Sequence, residues 1–252
     1  ISDTTSWSFT TVAASSGSGT ATVVDSSGTP TISAIACPTA TNCKIAYLES
    51  GTNSIYFADC NDATCSTPTK TLISSPSVTP DVAIDCPASD NCKVAVLDTG
   101  LSVKLIDCDT EDCSTNTSTT VATGMMNDVD IDCPSSTNCK IAYSYASTQL
   151  NMADCDNETC STNTETTIES DMSIGEGVAI DCPSSTNCKV AYVDSDNEAI
   201  KLADCDNEAC SSPTITTVDD SSLVDGALKN MVDIKCPSGS DCKLAYVDTG
   251  NN

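Results

Sequence analysis

The motif Cys-Pro-x4-Cys occurs five times along the chain, at Cys37/Cys43, Cys86/Cys92, Cys133/Cys139, Cys182/Cys188 and Cys236/Cys242, and its first cysteines are 49, 47, 49 and 54 residues apart. Self-similarity at a fixed period of this size marks a repeat architecture, because one such unit cannot bury its own apolar faces and must stack on its neighbours. Within each period four short β-like runs can be read. Strand A precedes Cys-Pro (Val82-Ala83-Ile84-Asp85, Val129 to Asp132, Val178 to Asp181). Strand B follows the second cysteine as Cys-Lys-[IVL]-Ala-[YV], at Lys44–Tyr47, Lys93–Val96, Lys140–Tyr143, Lys189–Tyr192 and Lys243–Tyr246. Strand C runs over Ile55–Cys60, Val103–Cys108, Leu150–Cys155 and Ile200–Cys205. Strand D is a Thr-rich run ending at Ile73, Val121, Ile168 or Val218. Alternation and β-branched residues favour strands throughout, and no segment keeps a helical period. Four-strand units repeated at this length predict an all-β propeller.

The fifth unit has strands A and B, then ends at Asn252. The N-terminal region carries two strands of the missing kind. Trp7, Phe9 and Val12 lie in a segment that fits strand C; Val23 and Val24 close one that fits strand D. The expected fold is therefore a five-bladed propeller. Its blades are 31–73, 81–122, 128–169, 177–219, and 231–252 completed by 7–25, with Leu244 and Tyr246 in the strand that receives the N-terminal pair. Completion within one chain gives a closed disc; completion between chains gives strand donation and a filament.

Four more cysteine pairs follow Cys-x4-Cys: Cys60/Cys65, Cys108/Cys113, Cys155/Cys160 and Cys205/Cys210. In total there are 18 cysteines, an even number. Zinc sites favour shorter spacings and two pairs brought together. Close pairs inside single hairpins suit local disulfides and an oxidising, extracellular compartment. The polar opening from Ile1 to Trp7 reads as a mature or trimmed end.

Charge removes several functions. The chain has 36 acidic residues, 10 Lys, no Arg and no His, for a net charge of −26 over 252 residues. His-based triads and metal sites cannot be built, nor can Arg clamps for carboxylate or phosphate. Nucleic acid would be repelled. No run approaches the roughly 18 apolar residues of a membrane-spanning helix, so membrane insertion is not expected.

The motifs Ala191-Tyr192-Val193-Asp194, Leu202-Ala203-Asp204-Cys205, Cys210-Ser211 and Thr216-Thr217-Val218-Asp219 resemble the propeller-like repeats of secreted and cell-surface bacterial or archaeal proteins, over nearly the whole chain. The Cys-Pro-x4-Cys hairpin departs from that family, which usually has a Gly-rich turn there. The resemblance implies an extracellular surface or appendage module and carries no catalytic residue. The sialidase Asp-box is absent. Size and blade number are similar to five-bladed invertebrate lectins, without a shared motif.

Four groups of residues are candidate sites. The acidic C–D loops place Asp107 and Asp109, Asp154 and Asp156, and Asp204 and Asp206 around a tight turn; oxygen ligands there suit Ca²⁺, and the same residues suit a solvated acidic turn. No other cofactor is implied. Asp85, Asp132 and Asp181 end strand A, with Ala36 and Lys235 at the equivalent places, and would ring one mouth of a central channel. Tyr47, Tyr143, Tyr192 and Tyr246 share one repeat position, where the second unit has Val96; this suits packing more than sugar stacking. The repeated lysines suit counter-ions to neighbouring Asp with their stems over the sheet. Asn116 and Asn157 lie in N-glycosylation sequons.

The leading expectation is a non-enzymatic extracellular structural protein that associates with itself as an appendage or fibril subunit. The alternative is a glycan-binding, lectin-like propeller.

Overall fold

The computed structural model describes residues 24–25, 30–75, 81–98, 100, 102–171, 173–220 and 232–247. Of the expected closure residues, Trp7, Phe9, Val12 and Val23 lie outside the described residues. Every described element is a strand. The first sheet holds β1 (Pro30–Thr39), β2 (Asn42–Glu49), β3 (Ser54–Asp59) and β4 (Thr69–Ser74). The second holds β5 (Val82–Ala88), β6 (Asn91–Leu97), β7 (Val103–Cys108) and β8 (Asn116–Ala122). The third holds β9 (Met126–Ser135), β10 (Asn138–Tyr145), β11 (Gln149–Cys155) and β12 (Asn163–Ser170). The fourth holds β13 (Ile174–Ser184), β14 (Asn187–Asp194), β15 (Ala199–Cys205) and β16 (Thr214–Asp219). The last described sheet pairs β17 (Val232–Ser238) with β18 (Asp241–Tyr246).

Each four-stranded sheet is an antiparallel meander in chain order. The first strands β1, β5, β9, β13 and β17 pack consecutively and line one central channel of about 390 Å³, walled by residues from Ile35 round to Lys235. This is propeller architecture: sheets stand face to face around an axis, inner strand to outer strand. Stacking explains why both faces of the second strands are apolar and buried. Val94, Ala95 and Val96 are all fully buried in β6, and Ile141, Ala142 and Tyr143 in β10. The small Ala allows the facing sheets to approach closely.

Every hairpin between first and second strands shifts register at its Cys-Pro, as between Asp85 and Ala88 in the second sheet. Proline brings no N–H to the ladder, so a regular pairing cannot pass through it. A disulfide closes each of these hairpins: Cys37–Cys43, Cys86–Cys92, Cys133–Cys139, Cys182–Cys188 and Cys236–Cys242. The hairpins between third and fourth strands are closed by Cys60–Cys65, Cys108–Cys113, Cys155–Cys160 and Cys205–Cys210. In a meander both hairpin types point the same way, so all nine bridges lie on one face of the ring. No cysteine is free among the described residues.

Candidate functional site

The disulfide face is organised by polar contacts between neighbouring sheets. Lys44, Lys93 and Lys140 are fully buried, each bonded to the Asp that ends or nearly ends the third strand of its own sheet: Asp59, Asp107 and Asp154. The acidic loop of the next sheet completes the cage. Glu111 Oε1 lies 3.3 Å from Lys44 Nζ and accepts from Asn42 Nδ2 at 2.5 Å; Glu158 lies 3.4 Å from Lys93 and 2.5 Å from Asn91; Glu208 lies 3.5 Å from Lys140 and 2.5 Å from Asn138. The pairing of these lysines with neighbouring Asp was expected from the sequence; the burial of the ammonium itself, sealed between two sheets, was not. Burial pushes the Asp107 and Asp154 carboxyls up, against the pull of Lys93 and Lys140.

These contacts account for the acidic loops. Asp107, Asp154 and Asp204 are each committed to a lysine, while Asp109, Asp156 and Asp206 are exposed. The second cysteine of each loop (Cys65, Cys113, Cys160, Cys210) has φ of 50–55° and donates its N–H to the carbonyl three residues earlier. Asp62 accepts the N–H of Thr64 at 2.8 Å, and Asn207 that of Ser211 at 3.1 Å. Among the described residues no set of three or more His, Cys, Asp or Glu is placed to hold a metal ion. The sequon residue Asn157 has the same turn role, accepting from Ser161 N at 3.1 Å, and Asn116 donates to the Cys113 carbonyl at 3.0 Å.

Asp85, Asp132 and Asp181 do line the channel mouth. Their job there is adhesion between sheets, which sequence reasoning missed. Each accepts the backbone N–H of the first cysteine in the next sheet: Asp85 from Cys133 (2.9 Å), Asp132 from Cys182 (3.1 Å) and Asp181 from Cys236 (2.9 Å). A second row repeats the device deeper in, with Asp81 accepting from Val129 (3.2 Å), Asp128 from Val178 (2.6 Å) and Asp130 from Ile180 (2.8 Å). Burial raises the carboxyls of Asp85, Asp128, Asp130 and Asp132. Asp130 is pushed up to about 8 and Asp132 to about 7, the latter also by Asp85 and Asp181; Asp128 is raised by burial and by Asp81. At this mouth the Lys235 ammonium is bonded to Asp181, so that carboxylate already has a cation.

The tyrosines pack. Tyr143 and Tyr192 are fully buried, and Tyr47 is nearly so. Tyr47 stacks on Tyr56 with ring centroids 5.8 Å apart. Tyr192 donates to Glu169, and Tyr246 donates to Asp219 at 2.7 Å; in both pairs the carboxylate stands at the end of the preceding sheet's outer strand.

One open groove on the disulfide face has the shape of a ligand site. It holds about 370 Å³ between the hairpins of the third and fourth sheets, walled by Pro134, Ser135 and Asn138 on one side and Pro183, Ser184 and Ser185 on the other. Both hairpins have the same sequence, Cys-Pro-Ser-Ser-Thr-Asn-Cys. Proline rings offer apolar surface and the serine hydroxyls offer donors and acceptors, while the Asn138 amide, whose nitrogen already donates to Glu208, forms part of the wall. That mixture suits a polyhydroxylated ligand with C–H faces.

Solved structures share this fold. The SapL1 lectin in complex with α-methyl fucoside superposes with a TM-score of 0.61 at 8% identity, over 86% of this chain and 71% of that one. AofleA from Arthrobotrys oligospora gives 0.58 at 8% identity, over 86% and 66%. The fucose-recognising lectin of Aleuria aurantia, a six-bladed β-propeller, gives 0.54 at 10% identity, over 81% and 66%. The chain thus spans about two thirds of the length of these lectins. No family model matches the sequence. No curated protein matches it either.

The likeness establishes a repeat β-propeller whose blades here are disulfide-bonded. It also overturns the leading expectation from sequence. The solved structures named above are lectins and none is a structural subunit, and the N-terminal residues on which a strand-donating filament depends lie outside the described residues. Nine disulfides belong to an oxidising, extracellular setting, and no described helix is long and apolar enough to cross a membrane.

Proposed function

We propose that this protein is an extracellular glycan-binding propeller that takes carbohydrate in the groove between Pro134–Asn138 and Pro183–Ser185. The observation that carries the reading is the shared fold with lectins, one of them solved with a fucoside bound. The recognition chemistry has to be this chain's own. One of the solved AofleA structures is a variant with three arginines replaced by alanine, whereas this chain contains no arginine at all. Serine hydroxyls, an Asn amide and proline rings are what the groove provides instead. The test is a glycan array followed by calorimetry on the best ligand and on methyl α-fucoside. Saturable binding that is lost or weakened at least fivefold in the Ser135→Ala/Ser184→Ala double variant supports the reading; a silent array, or binding untouched by the double variant, overturns the site.

We also propose that residues 7–24 complete the last sheet within the same chain, giving five blades. Asp25 supports this. It accepts from Tyr47 Oη at 2.8 Å, repeating the Tyr192–Glu169 and Tyr246–Asp219 pairs, so it stands where a preceding sheet's outer strand would end. Ala63 occupies the loop position of Glu111, Glu158 and Glu208, and Asp241 that of Asn42, Asn91 and Asn138; the two exceptions would meet at the closing seam. A chain beginning at Asp25 is expected to unfold at least 10 °C lower than the full chain and to regain stability with a 1–24 peptide. Equal melting of the two overturns the completion. Kinship with bacterial or archaeal surface repeats rests on the motifs quoted above.

A further inference from the structure

We infer that the groove, read as a carbohydrate site, selects uncharged saccharides and rejects those carrying carboxylate, sulfate or phosphate. The inference rests on the glycan reading, but its argument is independent of the neighbours: it comes from where every described cation is spent. A sulfated or sialylated ligand brings a full negative charge that must be met by a cation or by well-placed N–H groups, because desolvating it otherwise costs far more than a hydroxyl.

The described residues contain nine lysines, and each is engaged by a carboxylate. Lys44, Lys93 and Lys140 are sealed in the seams with no exposed surface. Lys189 is bonded to Asp204, Lys70 lies 2.8 Å from Asp25, and Lys104 lies 2.7 Å from Asp98. Lys201 sits 2.9 Å from both Glu169 and Asp194. Lys235 and Lys243, the two well-exposed ones, hold Asp181 and Asp241. The tenth, Lys229, lies outside the described residues, and there is no Arg or His.

The groove itself adds to the bias. Beside it, the half-exposed Glu208 accepts from the Asn138 amide that forms part of the wall, so an anionic group stands next to the groove. Around it lies a chain of net charge −26. A hydroxyl can donate to such acceptors; a ligand carboxylate or sulfate can only be repelled by them. Neutral hexoses, deoxyhexoses and their oligomers fit this field.

The experiment compares matched ligands that differ in one acidic group: lactose, 3′-sialyllactose and 3′-sulfolactose, alongside methyl α-fucoside and fucose 3-sulfate, by calorimetry at low and high salt. The expected result is binding of a neutral member with its acidic partner at least tenfold weaker, and a gap that narrows as salt shortens the screening length from about 8 Å at 0.15 M to about 3 Å at 1 M. Ser184→Lys, which sets an unpaired ammonium on an exposed wall, is expected to shift the ratio of affinities at least fivefold toward the sulfated member over its neutral partner. Equal or tighter binding of the acidic partner by the unaltered protein, or no gain from Ser184→Lys, overturns the inference while leaving the glycan reading standing. Binding of neither partner of either pair overturns both.

Discussion

Lys93 Nζ and Glu158 Oε1 lie 3.4 Å apart across the seam between the second and third sheets, although 65 residues separate them in the chain. Lys93 also holds Asp107 of its own sheet. The two carboxylates are not equivalent. Asp107 is buried; the Glu158 side chain is nearly half exposed, and its carboxyl is held below the usual range by the bond from Asn91 and by Lys93. Glu158→Gln should therefore cost only about 1 kcal/mol, because water already screens that end of the pair. Lys93→Met strands a buried carboxylate and should cost about 3–5 kcal/mol. At about 2–4 °C per kcal/mol for a chain of this size, circular-dichroism melting separates the two. Equal losses would mean that the lysine is not caged as described.

The pH dependence follows from the two opposite sets of carboxyls. Asp130 and Asp132 are pushed up to about 8 and about 7, while in the unfolded chain they ionise near 3.8. Their contribution is thus fully present below the unfolded value and declines as pH rises, until it is gone above the folded values. Glu111 and Glu158 are held below their ordinary 4.5, by the bonds from Asn42 and Asn91 first, so their contribution is present above that value and fades in acid. Melting temperature should peak near about pH 5 and fall by several degrees toward pH 8.5. Asp130→Asn loses one acceptor and melts lower throughout, but its decline between pH 5 and 8.5 should be shallower. A melting temperature that climbs steadily over that range contradicts the assignment.

Gly124 gives a local test of the linker between the second and third sheets. Its φ is +142°, and a Cβ there would stand 2.4 Å from Cε2 of Tyr145. Gly124→Ala combines backbone strain with a clash and should cost about 1–3 kcal/mol. Tyr145 packs against the cluster that includes Leu97, Val103 and Met126, so moving it disturbs both sheets. Adding Tyr145→Ala to Gly124→Ala should relieve part of the loss, measured as a coupling energy in a double-mutant cycle. Strict additivity would place the cost in the backbone alone.

How much of this was legible depends on the distance over which each interaction acts. The strands, their order and the hairpin pairs were readable because each is specified within a few residues: Cys-Lys-Val-Ala-Tyr at Cys188–Tyr192 carries its own alternation, and Cys182/Cys188 its own closure. The seams were not. Asp132 and Cys182, or Asn138 and Glu208, are 50 and 70 residues apart, and nothing local distinguishes a turn Glu from a bridging one. One signal was available in retrospect: the repeat positions of Asn42 and Glu111 vary together, failing as Asp241 and Ala63. In the acidic loops the Lys–Asp pairs were legible, but the Glu that reaches Lys44, Lys93 or Lys140 from the next sheet was not. The groove was invisible, since it exists only where two hairpins from different periods stand side by side.

The two classes of disulfide should respond differently to removal. Each closes a short loop, for which chain entropy alone predicts about 2 kcal/mol. Cys37 is exposed and Cys43 only partly buried, so serine replacements there can reach water, and Cys37→Ser/Cys43→Ser should cost near that value. Cys108 and Cys113 are fully buried in the core cluster with Val94 and Ile106. Serines at those positions bury two hydroxyls among apolar neighbours and free Cys113 from the bond that holds it at φ 55°, so Cys108→Ser/Cys113→Ser should cost at least about 2 kcal/mol more. Cys108→Ala/Cys113→Ala should recover part of the difference, since it removes the buried hydroxyls and leaves only the lost cross-link and a small cavity. Chemical denaturation of the three double variants measures this directly; if serine and alanine at 108 and 113 give the same loss, burial of the hydroxyls is not what separates the two classes.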